Sequence, residues 1–78
     1  MLITLDKLKP NEKGIVQKID GGRLLTDRLN ALGIRQGKEI TKISSMLMNG
    51  PVTIQIDRSQ VAIGLGMAKK ILISTERK

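Results

Sequence analysis

The chain carries no histidine and no cysteine, so the commonest general base, the thiolate nucleophile and the softer metal ligands are all missing. What remains for acid–base or metal chemistry is a set of carboxylates: Asp6, Glu12, Asp20, Asp27, Glu39, Asp57 and Glu76. No two of them lie within three residues of each other, which excludes the alternating oxygen ligands of a calcium loop and any acid pair formed within one stretch of chain. Scattered acids beside an excess of lysine and arginine read as solvated ion pairs. The expectation is no catalytic residue, no resident metal and no cofactor, and the chain is not read as an enzyme. The run Gly64-Leu65-Gly66 has a superficial likeness to a phosphate loop. A Walker loop, however, needs Gly, four residues, then Gly-Lys-Ser/Thr opening a helix, and this sequence has none. These glycines are read as backbone devices for a tight turn or close packing.

A molecule without reactive groups acts by binding, and the charge says what kinds of partner are open to it. Fourteen Lys and Arg face seven Asp and Glu, a formal charge of +7, which favours nucleic acid, anionic lipid or an acidic protein. The nucleic-acid reading is weakened by the absence of Phe, Tyr and Trp. Single-strand binders built on small barrels gain about 1 to 3 kcal/mol for each base stacked on an aromatic, and the same lack argues against a groove for proline-rich peptides. Readout by arginines stays open as an alternative. The plain reading of Lys7, Lys9, Lys13, Lys18, Lys38, Lys42, Lys69 and Lys70 is a charged, soluble surface.

Met46, Leu47 and Met48 stand directly before the Asn49-Gly50 turn, where polar residues are expected. Methionine adapts its shape to different partners at little strain, so this tip is a candidate docking patch. Leu24 is its companion, lying off the stripe formed by Leu25, Leu29 and Leu32. The competing readings are that one or two of the tip residues fold back over a barrel end, and that Leu24 broadens the buried face of its helix. A third possibility is self-association through the same apolar tip.

The elements that position these residues follow from periodicity. Lys13 to Ile19 alternates loosely with a period of two and predicts a strand. After Gly21 and Gly22, Leu25, Leu29 and Leu32 fall on one side of a helix of about three turns. Gly33 closes that helix in the left-handed conformation, with Ile34 folding back on the last turn as in a Schellman cap. Gln36 and Gly37 make a turn. Lys38 to Met46 is a strand whose Ile40 and Ile43 sit on opposite parities, which predicts a bulge or a bend. Asn49, Gly50 and Pro51 form the next turn. Val52, Ile54 and Ile56 alternate with polar residues in the cleanest strand of the chain. Val61 and Ile63 mark a short strand, Gly64 to Lys70 one tight helical turn, and Ile71 with Ile73 a closing strand. The opening segment reads as short and extended or irregular, and Glu76 to Lys78 as a frayed tail.

At 78 residues the chain is read as a single domain, 1–78, and one of this size buries only roughly 60% of its unfolded surface. About five short strands, with one helix inserted after the second strand, are most economically buried by curling into a small barrel. With no cysteine, and with only Met1, Leu2, Ile3 and Leu5 before Asp6 and Lys7, the opening falls short of a membrane span of about 20 apolar residues. The reading is cytoplasmic.

Arg28-Leu29-x-x-Leu32-Gly33-Ile34-x-x-Gly37 resembles the central signature of the FeoA family, small proteins of bacterial ferrous iron uptake. Thr4-Leu5-x-x-Leu8-Lys9-Pro10 is similar to that family's opening, Gly50-Pro51 to its hairpin turn, and Ala68-x-x-Ile71-x-Ile73 to its closing segment. Nearly the whole chain is covered, and the SH3-like domain of iron-dependent repressors shares much of the pattern. Asn11 stands where the family usually has glycine, and asparagine is the next residue most tolerant of a left-handed turn. The segment Ile63 to Met67 is less charged than the family pattern. The resemblance implies a mainly β, SH3-like barrel. It also implies an accessory or regulatory role, exerted from the cytoplasmic side on a membrane-bound, GTPase-containing ferrous iron transporter of the FeoB type. Leu24, Met46, Leu47 and Met48 would then be the partner-binding residues.

Overall fold

Alternating apolar and polar side chains in short segments leave each strand with one face to bury, and a single sheet wrapped on itself buries them all. The structure is a computed structural model of the chain and describes residues 1–44 and 50–76. Its elements run β1 (Leu2–Thr4), a 3-10 turn (Leu5–Lys7), β2 (Lys13–Ile19), α1 (Gly22–Ala31), β3 (Glu39–Ser44), β4 (Val52–Ile56), β5 (Ser59–Ile63), α2 (Leu65–Ala68) and β6 (Ile71–Ser74). The strands form one antiparallel sheet in the order β1-β6-β2-β3-β4-β5. The opening segment, expected to be extended or irregular, thus supplies an edge strand of its own, and the described residues form six strands.

Register sorts the side chains. Ile3, Ile73 and Val16 lie opposite one another across β1, β6 and β2 and all point into one core. Ile40, Val52, Ile54, Ile56 and Ile63 fill it from the other half of the sheet, and Leu5, Leu8, Leu29, Ile34 and Ala68 close it from the turns and helices. The 3-10 turn packs against α2 and β6. Each fully buried Leu or Ile here contributes about 1.5 to 3 kcal/mol of transfer free energy. Gly14 fits because it lacks a side chain: a Cβ there would fall 2.2 Å from Ile73 Cγ2 and 3.1 Å from the Ser74 carbonyl oxygen.

The expected helix ending is present in full. Ile34 N–H donates to the Leu29 carbonyl at 2.9 Å and Gly33 N–H to the Asn30 carbonyl at 2.9 Å, with Gly33 at φ +93°. These are the two bonds of a Schellman motif. The expected leucine stripe is only partly borne out. Leu29 is fully buried and Leu25 partly, but Leu32 remains 44% exposed. The helix stops at Ala31, so the reversing chain delivers Ile34 to the core and leaves Leu32 at the helix end.

The bulge expected from Ile40 and Ile43 is real: the β3–β4 register shifts between Lys42 and Ser44. A second shift, between Val16 and Lys18 in β2, has no counterpart in the parity of the sequence. Asn11 does adopt the left-handed conformation, at φ 68°. Asp57, at φ 54°, begins a two-residue connection from β4 to β5, with Ile56 opposite Ser59. Lys38 Nζ meets the Asp57 carboxylate at 2.7 Å.

One lysine is not on the surface where the sequence reading placed it. Lys42 is 4% exposed, and its Nζ donates to the Leu8 carbonyl at 2.7 Å and the Asp6 carbonyl at 3.1 Å. Its backbone is equally committed, accepting from Asn11 N–H at 2.7 Å and donating to the Glu12 carbonyl at 3.0 Å. The segment between β1 and β2 has carbonyls that no strand can satisfy, and a long side chain ending in several donors reaches them. Lys42 therefore ties residues 6–12 to β3.

Candidate docking surface

Helix α1 lies on the barrel with Leu29 and Leu25 inward, and an exposed stripe beside that face carries Leu24, Arg28 and Ala31, at i, i+4 and i+7. Leu24 is 87% exposed, the most exposed large hydrophobic side chain among the described residues. The alternative in which Leu24 widened the buried face is excluded. Leu32, which the sequence reading assigned to the core, adds a second exposed leucine at the C-terminal end of that helix, and no periodic signal distinguished it from Leu29. Arg23 and Asp27 flank the stripe in an exposed i, i+4 pair at 3.8 Å, a contact of little energetic weight. Met46, Leu47 and Met48 lie outside the described residues.

No side chain caps the N-terminus of α1 or α2, and neither first turn carries an acid. The expected roles of Gly64 and Gly66 are not found: neither has positive φ. A Cβ on Gly66 would meet nothing within 4 Å, and one on Gly64 would make only an ordinary 3.6 Å contact with Met67 Cε. Three of the carboxylates, Glu12, Glu39 and Glu76, line one shallow cleft. No group of three or more acids among the described residues is placed to hold a metal ion, and no helix of the described residues is long and apolar enough to cross a membrane.

This barrel has close counterparts among known proteins. The FeoA domain family matches the chain over residues 3–75. The chain belongs to the FeoA family. A relative from Methanocaldococcus jannaschii, named for Fe(2+) transport as protein A, is 42% identical over 65 residues, covering 83% of this chain and 77% of that protein. A crystal structure described as an iron uptake regulatory protein (FeoA) superposes with a TM-score of 0.85 at 33% identity, covering 94% of this chain and 95% of the other. A manganese-dependent transcriptional repressor contains the same fold, with a TM-score of 0.85 at 17% identity over 95% of this chain and 41% of its own length. The fold is thus the SH3-like barrel shared by FeoA proteins and one domain of metal-dependent repressors.

Proposed function

We infer that this FeoA protein is a non-catalytic accessory of ferrous iron transport. In this reading it docks on the cytoplasmic, GTPase-containing part of a FeoB-type membrane transporter and regulates or stabilises its active assembly. Leu24 on α1 and the Met46-Leu47-Met48 tip form the contact. The relatives named for Fe(2+) transport support the system. The observation that carries the docking mode is Leu24, 87% exposed on a helix whose inner face is already satisfied. Iron is the transporter's cargo and makes no contact with this chain in this account. Through linkage, docking regulates transport only by binding one transporter state more tightly than another, by about 1.4 kcal/mol for each tenfold shift.

The test is capture of the transporter from membranes, with and without GTP, by the wild-type chain and by Leu47→Asp. The expected outcome is retention by the wild type and loss with the folded variant. Equal retention of the transporter by folded Leu47→Asp contradicts the assignment of the tip.

A further inference from the structure

The outer face of β1, β6 and β2 is polarised along the strands. Register places Leu2, Ser74 and Ile15 in one cross-strand row and Thr4, Leu72 and Lys18 in the next, about 7 Å along the strand direction. Leu2 is 57% exposed, and the remaining five are exposed or half-buried, in contrast to the buried row Ile3–Ile73–Val16 between them. Beyond the first row the face ends in a cleft lined by Glu12, Glu39 and Glu76 with one lysine, Lys13. Beyond the second row it ends in a cleft lined by Lys18, Lys69 and Lys70 with one carboxylate, Asp20. A protein of net charge +7 has thus gathered three of its acids at one end of a single ladder and three of its lysines at the other.

We propose that this face is a docking surface for a second copy of the chain, related by a two-fold axis lying in the plane of the face and running across the strands. A symmetric interface must be complementary to itself, with residue i meeting j and j meeting i. The charged ends of this face satisfy that condition. Rotation lays β6 antiparallel over the partner's β6, so Ser74 meets Leu72 and, at the ends of the same strand, Glu76 meets Lys70. On β2 the same rotation brings Ile15 over Lys18 and Lys13 over Asp20, so the minority charge of each cleft also finds its opposite. Glu39, paired in register with Ile15, approaches Lys18. Leu2, Ile15 and Leu72 add apolar area between the charged ends, set against Thr4, the aliphatic stem of Lys18 and Ser74. Neither Leu24 nor the Met46–Met48 tip is used, so the proposal stands apart from transporter docking.

An interface built on one face of three short strands is small and held largely by exposed charges, so the dimer belongs to the weak, salt-sensitive class. Sedimentation equilibrium from about 10 μM to about 1 mM, at low and high salt, reads the association directly. The expected result is a reversible monomer–dimer equilibrium that weakens as salt rises. Lys70→Glu sets like charges opposite each other and raises the dissociation constant about tenfold or more. The double variant Lys70→Glu/Glu76→Lys restores the pairing and brings the constant back to within about threefold of wild type. Both sites are exposed, and circular dichroism verifies that each variant is folded. A chain that stays monomeric across the whole range overturns the proposal, as does a dimer indifferent to Lys70→Glu. Lysine-dependent binding to anionic phospholipid vesicles without dimerisation also overturns it and assigns the basic cleft to lipid.

Discussion

Lys42 and Leu24 each sit on the side of the protein that their chemistry disfavours. The first is a lysine with its side chain inside, 4% exposed; the second is a leucine with its side chain outside, 87% exposed. The difference between them is what each finds there. Lys42 Nζ donates to two carbonyl oxygens, so its burial is explained within the molecule. Among the described residues Leu24 joins no core cluster, and the helix it stands on is anchored without it. Buried charge survives only with partners, whereas a single exposed apolar side chain is tolerated by a folded protein and gains free energy when a partner covers it. One residue accounts for how a loop is held. The other is the residue through which the proposed docking runs.

The sharpest break of this comparison is on the inner side of the same helix. Leu29→Ala, at a fully buried site, is expected to lower unfolding free energy by about 2 to 5 kcal/mol, measured by urea denaturation. Lys42→Met keeps most of the side-chain volume and removes the donors to Leu8 and Asp6, and about 1 to 3 kcal/mol is expected to be lost. Increased amide exchange over residues 6–12 would locate that loss in the tethered segment, and unchanged exchange there would reject the tether. Leu24→Asp is expected to leave stability within about 0.5 kcal/mol of wild type, because the site is solvated and an acid near the start of a helix is favoured by its dipole. A large destabilisation would mean that Leu24 contributes to the core after all.

How far the sequence foretold these features depended on whether the decisive signal was local. The strand Val52–Ile56, the Schellman ending at Gly33 and the bulge in β3 each follow from a few neighbouring residues, through alternation, one permissive glycine and one break of parity. The two-residue connection at Asp57 was not marked, because it uses Asp-Arg instead of a glycine or asparagine pair. The burial of Lys42 depends on carbonyls more than thirty residues away, and no spacing within β3 encodes them. Leu32 was misplaced because periodicity alone does not say where a helix stops. At the candidate surface, Leu24 was legible as the leucine off the stripe. The polarised outer face was not, since its acids and lysines come from opposite ends of strands that only the register sets side by side.

The central claim is that this protein acts through an apolar contact it cannot satisfy alone, and binding of the chain to membranes bearing a FeoB-type transporter, the proposed partner, tests that most directly. Titration of wild type against Leu24→Asp, with both shown to melt alike, is expected to give an affinity at least about tenfold lower for the variant. Equal affinities would contradict the account.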